Sequence, residues 1–385
     1  MRLLVYGDYA YHVEDGRLSA EVSFALFAAR LRDQFERLVM VGRESPSAEL
    51  TPYSCGDGAE FVGLPYYESL ANPLSVTRTA GRSFARFWRA LAEVDVVWLL
   101  GPHPLAIAFA LMAAARGKRV VLGVRQDLHA YVRNRRPGRR VMFAAAWLLE
   151  ASFRLLARRL GVVVVGPELA RRYGRARALL EITVSLIDRE DVVSLEAATA
   201  RSYDGELRVI SVGRLDAEKN PLLIADVFRH LVDDGRPWRL IVCGDGALRG
   251  ELAARLRELD IDERAELPGY VPYGPRLLEL YRSSHALLHT SWTEGLPQVL
   301  IEAFAAGLPA VATDVGGIRD AVGEAARLVP PGDASAAAAA LEAIAGDPAL
   351  RRRLIEAGHE YVVPRTASDE VSRVAEFLRG PAGSR

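Results

Sequence analysis

Ala286-Leu287-Leu288-His289-Thr290 leads into Thr293-Glu294-Gly295-Leu296-Pro297-Gln298-Val299-Leu300-Ile301-Glu302-Ala303-Phe304-Ala305-Ala306-Gly307, followed by Ala310-Val311-Ala312-Thr313. The two short apolar runs predict buried strands, and the stretch between them predicts a helix. Pro297 suits the first helical position, where its missing N–H is no loss, and Gly307 suits the residue just past the end.

The same alternation runs outward through the whole chain. Strands are predicted at Leu3–Tyr6, Leu38–Val41, Asp95–Leu100, Val120–Val124, Val162–Val165, Arg208–Val212, Arg239–Cys243 and Arg327–Val329. Helices are predicted between them, at Ala20–Phe35, Arg78–Ala92, Leu105–Arg116, Val141–Leu160, Pro221–Asp233 and Ala247–Leu259. A tract from Ala334 to Ala340 has the composition of a surface helix. Runs without period-two alternation mark strands buried on both faces. Strand–helix–strand repetition, twice over, implies an α/β chain with two doubly wound parallel sheets. With 385 residues, against about 100–200 for one domain, two domains are expected. Charged and small residues replace the periodic pattern in 188–206, which places the boundary there: 1–195 and 196–364.

Half of the residues are hydrophobic and a quarter charged, which excludes collagen-like, wholly disordered and disulfide-scaffold classes. Only Cys55 and Cys243 are present, and a reduced compartment fits them. Arg2-Leu3-Leu4-Val5-Tyr6-Gly7-Asp8 turns polar too soon for a signal peptide. The apolar stretch Pro102 to Ala115 falls short of the ~20 residues of a spanning helix. A cytoplasmic location is the expectation. Lys+Arg and Asp+Glu are balanced at 49 each, yet residues 101–180 hold 16 basic against 3 acidic side chains. Such a face suits an anionic lipid, a nucleic acid or a phosphorylated ligand.

Glu294 falls in the loop before the predicted helix and Glu302 inside it. Between them lie the unpaired N–H groups of a helix start, which attract phosphate. Carboxylates flanking an anion hole can reach sugar hydroxyls, so a nucleotide-diphosphate sugar fits along this element. A second phosphate device follows the strand Arg208–Val212, in Gly213-Arg214-Leu215-Asp216-Ala217-Glu218-Lys219-Asn220. Lys219 is one of two lysines, with Lys118, among 47 arginines. A compact ammonium at a strand-to-helix junction tracks charge on a leaving phosphate, while Arg214 can grip two oxygens. A solvated charged loop is the alternative reading of this segment.

Over about 207–332 these residues resemble the retaining glycosyltransferases of the GT-B fold, the group 1 or family four type. The resemblance rests on two glutamates separated by seven residues, and on Val212-Gly213-Arg214 with Lys219. It also rests on Ala306-Gly307-Leu308-Pro309-Ala310-Val311-Ala312-Thr313-Asp314-Val315-Gly316-Gly317 and Leu328-Val329-Pro330-Pro331-Gly332-Asp333. It implies two Rossmann-like domains facing across a cleft, with donor on the second and acceptor on the first. The final helix, about 365–385, would cross back onto the first domain. It implies that Glu294 contacts the donor sugar, Glu302 the ribose, and Arg214 and Lys219 the diphosphate. Gly295 and the amides of Leu296, Gln298 and Val299 would line the helix start. Gly244, in Gly244-Asp245-Gly246, would make a tight turn near the donor. Gly269-Tyr270-Val271 looks like the base-contacting loop, with Arg276 nearby. Guanine readers of this kind often carry a carboxylate after that valine; Pro272 and Tyr273 stand here, which favours a UDP-sugar over a GDP-sugar.

On the acceptor side the likeness implies a glycine-bearing loop after the first strand. Asp15-Gly16-Arg17-Leu18-Ser19 fits it, with Gly16 closing on the donor phosphate and Ser19 capping the next helix. After Val120–Val124 many relatives carry His before Asp; this chain reads Arg125-Gln126-Asp127. Gln126 can orient a hydroxyl but cannot take its proton at neutral pH. Glu294, Asp127 and Gln126 form the expected catalytic set. No cofactor and no metal are expected.

Asp260-Ile261-Asp262 reads as a charged turn, and His285 with His289 lies across a strand, so neither predicts a metal site. Gly250 comes one residue late for a dinucleotide fingerprint. The tract Arg133 to Arg140 precedes Trp147, Leu148, Leu149, Phe153 and Leu155. It reads either as a peripheral membrane foot reaching a lipid-linked or anionic acceptor, or as a packing helix with a solvated arginine face. No nucleic-acid motif accompanies it. The reading is a retaining, metal-independent transferase using a nucleotide-diphosphate sugar and an unidentified acceptor. The alternatives are a non-enzymatic nucleotide-sugar binder or partner-activating protein, and a nucleotide-sugar epimerase on the same fold.

Overall fold

The computed structural model describes residues 1–47, 51, 53–56, 59–67, 73–126, 128 and 140–380. Asp127, His129 and the arginine tract 133–139 lie outside the described residues. The chain divides into two units, Met1–Leu186 with the segment from Ala367 onward, and Ile187–Thr366.

In the first unit the strands are β1 Arg2–Glu14, β2 Arg17–Ala20, β3 Arg37–Glu44, β4 Tyr53–Ser54 and β5 Glu60–Leu64. β6 Val96–Gly101, β7 Arg119–Val124, β8 Gly161–Val165 and β9 Ala178–Ile182 complete the sheet. Seven run parallel in the order β5-β3-β1-β6-β7-β8-β9. Leu4, Tyr6, Val97, Leu99, Leu122 and Val162 point from them into a core completed by Phe87, Phe109 and Phe153. Those phenylalanines come from the helices Pro73–Ala90, Pro104–Ala115 and Arg140–Ala157. Phe87 and Phe109 stack with centroids 3.9 Å apart.

β1 runs well past the predicted Leu3–Tyr6. Its far half turns back antiparallel on β2 through Asp15 and Gly16, both at positive φ (50° and 77°). This is a two-residue hairpin turn, which demands residues tolerant of the left-handed region. The expected loop-to-helix entry is corrected accordingly: Gly16 is at a hairpin tip. Ser19 caps no helix; it lies in β2, with Oγ 3.3 Å from the carbonyl of His12 and 2.9 Å from Thr51 Oγ1. The next helix starts at Phe24.

The second unit holds β10 Leu207–Val212, β11 Trp238–Cys243, β12 Ala265–Gly269, β13 Ala286–His289, β14 Ala310–Thr313 and β15 Ala326–Val329. They run parallel in the order β12-β11-β10-β13-β14-β15. The order reverses direction at β10, where β11 and β13 flank it. In such sheets the crevice at the strands' carboxyl ends is where ligands sit. The alanine-rich segment is the helix Ala334–Gly346, and its small residues Ala337, Ala338 and Ala340 are core, not surface.

The division at Leu186/Ile187 falls nine residues ahead of the expected 195/196. Ile187 is already fully buried in the second core, and Val193 N–H donates to the Ala305 carbonyl at 2.7 Å. At the other end the helix Ala367–Arg379 packs in the first unit, where Arg119 reaches the Phe377 carbonyl at 3.2 Å and Arg373 that of Glu181 at 2.9 Å.

Candidate functional site

The carboxyl ends of the second unit's strands are laced together by loop backbone. Gly213 N–H donates to the Cys243 carbonyl at 3.0 Å, and Gly244 N–H to that of Gly269 at 2.8 Å. A Cβ on Gly244 would stand 1.8 Å from the Gly213 carbonyl oxygen, so only glycine admits this approach. Gly316, at φ +56°, is pinned in the same way: its Cβ would lie 1.9 Å from the carbonyl oxygen of Glu294. The glycines thus fix where the loop after β13 runs.

That loop carries Glu294, whose side chain is 9% exposed. Its Oε1 accepts three donors: Lys219 Nζ, Ser291 Oγ at 2.6 Å and His289 Nε2 at 3.0 Å. A carboxylate only accepts, so His289 presents Nε2–H to it. Burial raises the Glu294 carboxyl, but the His289 hydrogen bond and the Lys219 charge outweigh it and hold the group at about 2. Lys219 arrives from the turn after β10, and Thr290 Oγ1 ties the two loops, 3.0 and 3.2 Å from the carbonyls of Lys219 and Asn220. Lys219, Arg214, Ser291 and His289 line one pocket.

The helix begins at Gln298, one residue later than predicted, with Pro297 as its cap. Its end is as the sequence reads: Gly307 takes φ +66°, and Leu308 N–H closes on the Ala303 carbonyl at 2.9 Å. Gly295 is exposed, while Leu296, Gln298 and Val299 are half-buried at the helix start. Leu300 N–H closes the first turn on the Pro297 carbonyl at 3.2 Å, and the N–H groups of a helix start are the kind of donors that attract anions. Glu302 sits one and a half turns in, buried, and accepts a hydrogen bond from Tyr281 O–H at 2.7 Å. Burial pushes its carboxyl up to about 6, against the pull of that bond.

Arg214 shares the pocket of Lys219, while Val271 and Arg276 are not among its lining residues. Arg214 is exposed and pairs with Asp216 and Glu218. A phosphate there must displace those carboxylates. Val271 is buried in the core, and Arg276 is exposed on the helix Pro275–Arg282. Gln126 is exposed just past β7. Sequence reading missed His289, Ser291 and Tyr281 as partners of the glutamates. It also missed a polar cluster in the first unit. There Asp8 accepts from Tyr67 O–H, with His103 Nε2 at 3.2 Å and Arg43 Nε at 3.6 Å. His103 Nδ1 caps the helix Pro104–Ala115 by accepting from Leu105 N–H at 3.2 Å. Among the described residues no group of three or more His, Cys, Asp or Glu is placed to hold a metal.

Glu302 provides a pH test of this geometry. Its folded pKa, about 6, lies above the unfolded ~4.3. The stability tied to its proton is therefore complete below the unfolded value and lost as pH rises through 6. Tyr281→Phe removes a donor that favours the ionised form. It should cost about 1–3 kcal/mol at pH 8 and clearly less at pH 4.5. Urea unfolding of both proteins at the two pH values checks this; equal losses would contradict it.

Residues 195–361 match the family described as Glycosyl transferases group 1. The amylovoran biosynthesis glycosyltransferase AmsD of Erwinia amylovora is 39% identical over 107 residues, 28% of this chain and 29% of that protein. The 2-deoxystreptamine glucosyltransferase of Streptomyces kanamyceticus is 27% identical over 203 residues, 50% of this chain and 52% of that one. The chain thus spans about half or less of these curated relatives. The crystal structure of Anabaena HepE in complex with UDP aligns at a TM-score of 0.69 and 16% identity, over 98% of this chain and 100% of that one. Two parallel α/β units in that likeness are the GT-B fold, and residues 195–361 are a group 1 glycosyltransferase domain.

Proposed function

We propose that this protein is a retaining glycosyltransferase that moves a sugar from a nucleotide-diphosphate sugar to an acceptor bound by its first unit. The observation that carries the reading is Glu294 Oε1, held ionised by Lys219, His289 and Ser291 beside a helix start. An anion hole and a fixed negative charge side by side match a donor whose diphosphate is anionic and whose sugar gains positive character. UDP is the favoured nucleotide, supported by Pro272 and Tyr273 after Val271 and by the UDP bound in HepE.

In this reading the amides of Leu296, just before the helix, and of Gln298 and Val299 in its first turn receive the diphosphate, with Arg214 and Lys219 neutralising it. Glu302 receives the ribose. The anomeric C–O bond to phosphate breaks and the nucleotide diphosphate leaves. The acceptor oxygen bonds to the same face of the anomeric carbon, and its proton passes to the leaving phosphate oxygen. That route asks no base of Gln126, which with Asp127 orients the acceptor hydroxyl. Glu294, facing the sugar, stabilises positive charge most at the transition state.

Two variants separate the roles. Glu302→Gln loses a charge-assisted hydrogen bond, so it should weaken nucleotide diphosphate and donor alike by about 1.5–3 kcal/mol and act mainly on KM. Glu294→Gln should keep nucleotide binding and lower kcat. Calorimetric titration beside product mass spectrometry across donors and acceptors tests both. Nucleotide binding abolished by Glu294→Gln but intact in Glu302→Gln would reverse the donor, and tight donor binding without turnover would leave a binder.

Arg214 and Lys219 supply the positive charge that a divalent cation brings to diphosphates elsewhere. Turnover should therefore survive excess EDTA. Activity lost on chelation and restored by Mg²⁺ or Mn²⁺ would overturn metal independence.

A further inference from the structure

The helix Arg140–Ala157 is apolar on both sides. Its inner face, Ala146, Phe153 and Ala157, is core. At 100° per residue its opposite face carries Val141, Ala144, Ala145, Leu148, Ser152 and Leu155. Ser152, the one polar member, returns its hydroxyl to the Leu148 carbonyl at 2.8 Å, so the stripe asks little of water. A helix hydrophobic all round is normally covered. Here Val141 is 82% exposed, Leu155 63%, Leu148 62% and Trp147 61%, with Leu111 of the neighbouring helix at 61%. These are the five most exposed large apolar side chains among the described residues. Exposed apolar patches so concentrated mark interaction sites.

The charge around the stripe selects the partner. The three helices Pro73–Ala90, Pro104–Ala115 and Arg140–Ala157 pack on one core, and their single carboxylate, Glu150, is buried. Arg82, Arg89, Arg154, Arg158 and Arg159 are exposed, and no ion pair among the described residues engages them. Arg116 stacks over Trp88 at 4.0 Å. A second copy of this face would meet its own positive charge, and a nucleic acid would leave the apolar stripe unused. An anionic bilayer satisfies both, with leucines below the headgroups, Trp147 at their level and arginines on the phosphates.

We infer that the outer face of the helix Arg140–Ala157 docks this protein on the surface of an anionic lipid bilayer. The helix lies in the interface and does not cross it; no described helix is long and apolar enough to span. The inference is independent of the donor chemistry.

The test is flotation of the full chain with phosphatidylcholine vesicles containing 0 or 30 mol% phosphatidylglycerol, at low and high salt. Wild type should bind only the anionic vesicles and release at high salt. Arg158→Gln with Arg159→Gln should weaken partitioning by about fivefold per arginine. Leu148→Glu with Leu155→Glu should abolish it while leaving the urea midpoint and nucleotide affinity at wild-type values, since both side chains face solvent. Wild type that never floats with anionic vesicles, or flotation unchanged by the double glutamate variant, overturns the proposal. So does a solution dimer dissolved by that variant, which would make the face a self-interface, or RNA that competes for it without any lipid binding.

Discussion

A carboxylate buried among loops must stay charged, and the second unit is arranged around that requirement. Taking an anion out of water is expensive unless hydrogen bonds and an opposite charge replace the solvent. Glu294 receives all three of its donors on one oxygen, from Lys219, His289 and Ser291. Those donors come from the ends of two adjacent strands, β10 and β13, so the ion pair also fixes the register of two loops. Thr290, bridging to the carbonyls of Lys219 and Asn220, and Trp292 N–H, on that of Glu218 at 2.9 Å, add backbone ties at the same junction.

Glutamate 302 obeys the opposite rule eight residues on. It has one close donor, Tyr281, and burial dominates, so its carboxyl rises where that of Glu294 falls. One helix start thus stands between a group fixed as an anion and a group that gains or loses a proton near neutrality. Environments that drive two titratable groups apart are how a single fold assigns them different tasks. The glycines at 244 and 316 make this possible by letting backbone meet backbone where any side chain would intervene.

Much of this was legible in the sequence. Interior strands such as β8, with Val162 to Val165 in succession, and β6, with Val96, Val97, Leu99 and Leu100, are dense in β-branched residues and leucine, and Pro297 with Gly307 bracketed the site helix to within one residue. Five strands escaped notice: β2 and β4, a short antiparallel addition of four and two residues, and β5, β9 and β12, at edges of the two parallel sheets. It is these last three that the sequence hid by composition. They carry Glu60, Glu181 and Glu266 with Pro268 because one side faces water, so they lack the apolar run. The Asp15-Gly16 turn had its own signature, a dipeptide suited to positive φ, which the expectation of a phosphate loop overrode. Glu294, Glu302 and Lys219 stood out by residue type and spacing. Their partners did not. A lone histidine before a loop and a tyrosine 21 residues from Glu302 become meaningful only when the sheet brings them together.

The central claim is electrostatic: Glu294 is held as an anion by Lys219 and His289, while Glu302 is not. Carbon-13 NMR of glutamate side-chain carboxyls, assigned with Glu294→Gln and Glu302→Gln, reads both groups in one titration from pH 8 to 4. The account predicts that Glu294 stays ionised throughout, and that Glu302 passes through its midpoint near pH 6. A Glu294 midpoint at or above the ordinary carboxylate value would contradict it.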